Sequence, residues 1–199
     1  LTTSSAASDV YKRQVHMTTN LTLKHFKNVF SQEHCNSILD YINSIPKDNV
    51  VNINNEYGEV PDEQWYGINV IPNRLRFDRH KFSFIADSIN KNTPYNYDDW
   101  ALDMVYVNSY YQGDVCDRHI DLNTEYRQEL LKEGKDLYTA IILLNNDFEG
   151  GTLKAGNRDM PLDLGLGDMV VINGFTTSHL VTEISKGERH TLVIWGKSV

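Results

Sequence analysis

The chain has 199 residues, 40% of them hydrophobic, which suits a single domain with one sizeable core. Its 19 basic and 27 acidic residues leave a net charge of -8, which argues against phosphate backbones and anionic membranes as partners. Cys35 and Cys116 are far apart and form no CxxC pair, and no apolar run is long enough for a membrane span or a secretory signal. A soluble, cytoplasmic protein is expected.

Leu1 to His16 is small and polar, has no core pattern and precedes Met17. This segment is expected to be a cloning, read-through or gene-prediction extension, leaving 17–199 as one domain. A short alternating stretch leads to Phe30, and Ser31 then stands where a helix N-cap belongs, before Ile38, Leu39 and Ile42 at helical spacing. The segment from Asn52 to Arg76 is rich in Asn, Glu, Gly and Pro and carries Trp65 and Tyr66, so it reads as an irregular region able to cover a pocket. Phe82, Phe84, Ile85 and Ile89 predict a second helix ending near Asn92 and Pro94.

From Trp100 onward the character changes to short β-branched and aromatic runs. The expected strands are Leu102 to Tyr111, Leu137 to Leu144, Thr152 to Ala155, Met169 to Ile172, His179 to Ile184 and Thr191 to Trp195. Gly150-Gly151 and Gly165-Leu166-Gly167-Asp168 mark turns between them, and such a series indicates a sandwich or barrel. One polar stretch, Asn123 to Lys135, interrupts the strands with good helix formers and reads as an inserted helix or lid.

Within this frame, Arg118-His119-Ile120-Asp121 holds a His-x-Asp pair at a strand end, where residues two apart share a face and can point at one ion. Alone, such a pair is far more often a surface accident or a local hydrogen-bonded pair than a metal site. A second histidine, His179, opens a later strand and completes a set of two imidazoles and one carboxylate, which leaves three positions open on Fe(II). No third histidine is placed to complete a catalytic zinc site. Arg189 lies on the following strand, with Thr191 two residues on. A guanidinium turned into a barrel needs an anion, and its planar fork suits a carboxylate. An edge-strand arginine in solvent is the other reading.

The stretch from Tyr110 to Trp195 resembles the catalytic core of the prolyl-4-hydroxylase-like group of 2-oxoglutarate and Fe(II)-dependent dioxygenases. The resemblance is carried by Tyr110-Tyr111-Gln112-Gly113 running into His119-Ile120-Asp121 and by Ile141 to Leu153 with its Phe148-Glu149-Gly150-Gly151 turn. Gly167-Asp168-Met169-Val170-Val171, His179, Gly187-Glu188-Arg189 and Trp195 complete it in the same order. It implies a mainly β, α+β fold: a double-stranded β-helix, or cupin-like jelly roll, flanked by N-terminal helices, with the catalytic core over about 100–197. It also implies that His119, Asp121 and His179 are iron ligands and that Arg189 pairs with the distal carboxylate of 2-oxoglutarate. Tyr110, Thr191 and Asn108 are further co-substrate candidates, and the glycines of the turn serve backbone geometry. Leu143 stands where some relatives carry a co-substrate tyrosine.

The implied activity is hydroxylation of an unactivated C–H bond in a prolyl residue, a free amino acid or another small molecule. It uses O2, releases succinate and CO2, and has ascorbate as an optional reductant. Retention of Asp121 favours hydroxylation over halogenation, since related halogenases carry a small residue there. A nucleic-acid demethylase of the same fold is the rival enzyme, disfavoured by the acidic charge and by Trp195, which stands where those enzymes carry a second arginine. A non-catalytic β-sandwich binding module is the rival from another class.

Overall fold

In a strand, successive side chains point to opposite faces, so a strand buried on both sides can place apolar packing on one face and polar chemistry on the other. The longest strands of this chain do so. The structure is a computed structural model and describes residues 23–45, 73–121, 124–156 and 160–198. Its elements are β1 (Leu23–Phe26), α1 (Gln32–Ser44), β2 (Asn73–Asp78), α2 (Ser83–Asn92), α3 (Tyr97–Trp100), β3 (Ala101–Tyr110), β4 (Cys116–His119) and α4 (Thr124–Lys132). There follow β5 (Leu137–Leu143), β6 (Glu149–Gly150), β7 (Leu153–Ala155), β8 (Met160–Pro161), β9 (Met169–Asn173), β10 (His179–Val181), β11 (Ile184–Lys186) and β12 (Arg189–Lys197).

Six strands form one sheet in the order β1-β9-β5-β12-β3-β2, four form a second in the order β4-β10-β7-β8, and β11-β6 make a ribbon. Every pairing is antiparallel. On the outer face of the larger sheet, Val105, Val107, Ile142, Met169, Leu192 and Ile194 cluster with Cys35 and Ile38 of α1 and Ile85 and Ile89 of α2. Each such fully buried aliphatic side chain contributes about 1.5–3 kcal/mol relative to exposure, so this layer is where the fold's stability is concentrated. The mainly β, jelly-roll architecture with N-terminal helices is therefore as expected.

Local rules explain the helices. Ser31 caps α1, its hydroxyl accepting the His34 N–H at 3.2 Å. The helix turns Cys35 and Ile38 inward. The short α3 was not anticipated. It seats Trp100 with no exposed surface against Tyr95, ring centroids 4.9 Å apart. Gly196 opposes it at a register shift in β12; a Cβ there would lie 2.2 Å from Trp100 Cε2, so a larger residue has no room.

Three expectations are corrected. Residues 73–78 are not irregular but form β2, because Leu75 and Phe77 alternate into the apolar layer while the backbone pairs with β3, Arg74 opposite Asn108. The single strand expected over His179 to Ile184 is two strands: Thr182 N–H turns to the Thr152 carbonyl, and the chain leaves the four-stranded sheet to pair β11 with β6. The last strand starts two residues earlier than expected and places Arg189 opposite Tyr110. Residues 1–16, Trp65 and Tyr66 lie outside the described residues.

Candidate active site

The inner face of the larger sheet looks across to β4, β7 and β10. The cavity between the two sheets is lined by Arg74, Asn108, Tyr110, Thr139, Ile141, Arg189, Thr191, Val193 and Trp195 on one side and by Cys116, His119, Leu153, His179 and Val181 on the other. Asp121, just beyond β4, lines it as well. Its own N–H donates to the Gly174 carbonyl at 2.9 Å.

His119 ends β4 and His179 begins β10, and the two residues are direct partners in the antiparallel ladder. Their rings are 4.2 Å apart between centroids. His119 Nε2 lies 3.6 Å and His179 Nε2 lies 3.9 Å from Asp121 Oδ1. One donor atom from each of the three residues falls within 4.8 Å of the others. On the far side of each ring, Nδ1 is committed to backbone: 2.8 Å from the Asp117 carbonyl for His119 and 3.2 Å from the Thr177 carbonyl for His179. Nδ1–H donating to those carbonyls leaves Nε2 of each ring on the Asp121 side as the nitrogen able to bind a metal once any proton there is displaced.

The electrostatics agree. Burial would raise the Asp121 carboxyl, but the charges and hydrogen bonds of His179, His119 and Thr139 outweigh it and hold the group anionic. Burial would lower His119, yet hydrogen bonds and charge from Asp121 and Cys116 prevail and push it up to about 10. Burial keeps His179 below its ordinary value. A carboxylate that attracts a proton onto a neighbouring imidazole equally attracts a divalent cation, and two imidazoles with one carboxylate on one side of an ion suit Fe(II).

Arg189 stands on the same inner face, 2% exposed. Its guanidinium carbon is 5.5 Å from the Tyr110 ring centroid and 6.0 Å from that of Phe148. Its Nε has no hydrogen-bond partner, and among the described residues no carboxylate pairs with it. Burial pushes its pKa below the usual arginine value, but a guanidinium remains charged in a protein. A buried cation without its anion is costly to the fold, and its fork matches a carboxylate. The Gly150-Gly151 turn makes room for it. Gly151 has φ +60°, and a Cβ there would sit 2.8 Å from Arg189 Cδ.

All seven residues singled out from the sequence line or border this one cavity: His119, Asp121, His179, Arg189, Tyr110, Thr191 and Asn108. Leu143 is buried but is not among its lining residues. Sequence reasoning missed Thr139, whose hydroxyl donates to Asp121 Oδ2 at 2.5 Å. The available signal was a threonine two residues from Ile141 in an otherwise apolar strand. Also missed was Arg74, whose Nε donates to Asn108 Oδ1 at 2.8 Å; it was hidden inside a segment read as irregular.

No protein-family model matches the chain, and no curated protein matches it. Solved structures do. A prolyl-4-hydroxylase from Pseudomonas putida aligns over 89% of this chain and 92% of its own, with a TM-score of 0.55 and 14% identity. The viral collagen prolyl hydroxylase of Paramecium Bursaria Chlorella virus-1 aligns over 90% and 97%, with a TM-score of 0.56 and 14% identity. A Trichoplax adhaerens prolyl hydroxylase aligns over 98% and 94%, with a TM-score of 0.60 and 15% identity. The chain has the fold of these prolyl hydroxylases.

Proposed function

We propose that residues 17–199 form a single Fe(II)- and 2-oxoglutarate-dependent dioxygenase domain that hydroxylates an unactivated C–H bond, with a prolyl residue or a free amino acid as candidate substrates. The observation that carries this reading is the pairing, in one cavity, of a two-histidine, one-carboxylate donor set with a buried arginine that lacks an anion. Among the similar structures, one was solved with 2-oxoglutarate and another with a peptide from hypoxia inducible factor, which supports the co-substrate and the general kind of substrate.

In this reading His119, Asp121 and His179 hold the iron, which supplies the oxidising chemistry when bound together with 2-oxoglutarate and O2, ascorbate serving as an optional reductant. The protein's own residues do the positioning. Asp117 and Thr177 carbonyls fix the imidazole tautomers, and Thr139 engages Asp121 Oδ2, leaving Oδ1 as the oxygen that would hold the ion. Arg189 pairs with the distal carboxylate of 2-oxoglutarate, and Thr191 and Tyr110, on the same face, are the additional hydroxyl donors. Asn108, the remaining co-substrate candidate, has its Oδ1 committed to Arg74 Nε and so orients that guanidinium rather than 2-oxoglutarate. Ile141, Leu153, Val181 and Val193 exclude water from the reacting region, which protects a reactive oxidant from side reactions.

The test is Fe(II)-dependent conversion of 2-oxoglutarate to succinate by the purified chain, with a panel of free amino acids and prolyl peptides added. The expected result is succinate formation that disappears in His179→Ala and in Arg189→Gln. Properly metallated protein that neither binds nor consumes 2-oxoglutarate would contradict the proposal and favour a non-catalytic binding module.

A further inference from the structure

The cavity contains a second arginine. Arg74, on β2, lies in the same cross-strand row as Asn108 on β3 and Thr191 on β12. Its side chain lines the cavity with the histidines and Arg189. The guanidinium carbon sits 5.1 Å from the Tyr106 ring centroid and 5.9 Å from that of Trp195. Among the described residues Asn108 is its one hydrogen-bond partner, and no carboxylate pairs with it.

Two aromatic faces and an amide oxygen hold this guanidinium in place without neutralising it. They orient a donor fork and leave its charge for something else. Next to it, the indole Nε1 of Trp195 is buried and has no acceptor. The β2–β3–β12 wall of the cavity therefore carries a fixed cation and, on the lining residue Trp195, an unpaired N–H, neither of which the metal triad and Arg189 use.

Charge decides what belongs there. On the oxygenase reading, on which this inference rests, a ferrous ion and Arg189 are balanced by Asp121 and the doubly negative 2-oxoglutarate. Arg74 is left over. A substrate without a carboxylate would leave it uncompensated in a site partly closed to water, whereas one carboxylate would balance it locally and accept from its guanidinium and from Trp195 Nε1. We propose that Arg74, with Trp195 Nε1, binds a free carboxylate of the primary substrate, so that the substrate is a small carboxylic acid, such as a free amino acid, rather than an internal residue of a peptide.

The experiment is calorimetric titration of the full chain loaded with Zn(II), as a redox-inert ion, and 2-oxoglutarate. The probes are the common L-amino acids and short dicarboxylic acids, each paired with its primary amide, together with prolyl tripeptides capped at both ends. At least one acid is expected to bind about tenfold or more tightly than its amide. Arg74→Gln should abolish that preference while leaving 2-oxoglutarate affinity within about threefold of the parent, and Arg74→Lys should restore part of it. The inference is overturned if no acid binds, if acids and amides bind alike, if a capped tripeptide binds in preference to every acid, or if Arg74→Gln weakens 2-oxoglutarate itself. Failure of the parent to bind 2-oxoglutarate would sink the oxygenase reading; intact 2-oxoglutarate binding with no acid preference would sink this inference alone.

Discussion

The two faces of the six-stranded sheet are built from the same strands and differ in almost everything else. On β12, Leu192 and Ile194 enter the apolar layer under the helices, while Arg189, Thr191 and Trp195 between and beside them face the cavity. On β3, Val105 and Val107 point outward to the helices and Asn108 and Tyr110 inward. The outer face gains stability from burial. The inner face buries the Arg189 guanidinium and looks across the cavity at a carboxylate and two imidazoles carried by β4, β10 and the residues after β4, and desolvation of these groups works against folding. Strand alternation in the larger sheet thus separates stability from chemistry, with the metal-site residues supplied by the facing sheet, so substitutions on adjacent residues of β3 and β12 should have opposite kinds of effect.

The sharpest break comes from Asp121→Ala. Removing the only carboxylate of the donor set should lower turnover by about a thousandfold or more, equivalent to about 4 kcal/mol, in protein that still folds. Steady-state succinate assays and a melting curve check both halves. On the other face, Ile142→Ala should cost about 2–5 kcal/mol of stability by opening a cavity in the layer beneath α1 and α2, measured by denaturant unfolding. Residual activity of the folded fraction should survive.

Arg189→Met sharpens the contrast further. It replaces an unpaired buried cation with an apolar side chain of similar length, so the protein without 2-oxoglutarate should become more stable by about 1–4 kcal/mol while losing 2-oxoglutarate affinity. A destabilised variant would mean that Arg189 has a structural partner. Thr139→Val removes the hydroxyl that restrains Asp121 and should weaken metal binding by about 10- to 100-fold without disturbing the sheet.

The smallest expected effect concerns a carboxylate away from the cavity. Asp168 accepts hydrogen bonds from Asn28 N–H, Gly165 N–H and His25 Nε2. Burial alone would raise its pKa, but these partners hold it below its ordinary value of 3.8. A depressed folded-state value stabilises the fold above the unfolded value, and the contribution is lost as pH falls through the folded one. Asp168→Asn should therefore cost about 1–3 kcal/mol at neutral pH and flatten the acid limb of the stability profile, since the variant has no carboxylate left to protonate. An unchanged acid limb would show that Asp168 does not carry that pH dependence.

Much of this separation was legible in the sequence, because it follows from period-two patterning. His119 and Asp121 two apart, and Arg189 and Thr191 two apart, announced shared faces, and Ser31 before Ile38 announced α1. What escaped was non-local. β2 was obscured by the polar residues Asn73, Arg74 and Asp78 and became a strand only through pairing with β3. The break between β10 and β11 depends on partners in β4, β6 and β7, which no local run of residues records. Thr139 and Arg74 were invisible as site residues for the same reason: each acquires its role from a neighbour distant in the chain, Asp121 in one case and Asn108 in the other.

On the proposed reading, the triad and Arg189 together hold iron and 2-oxoglutarate. The most direct test is an anaerobic titration of the metal-free protein with Fe(II) and then 2-oxoglutarate, following the weak visible charge-transfer band of the chelated 2-oxo acid. The expected result is a saturable band in the parent that is absent in His179→Ala. No band in properly metallated parent, or an undiminished band in His179→Ala, would contradict it.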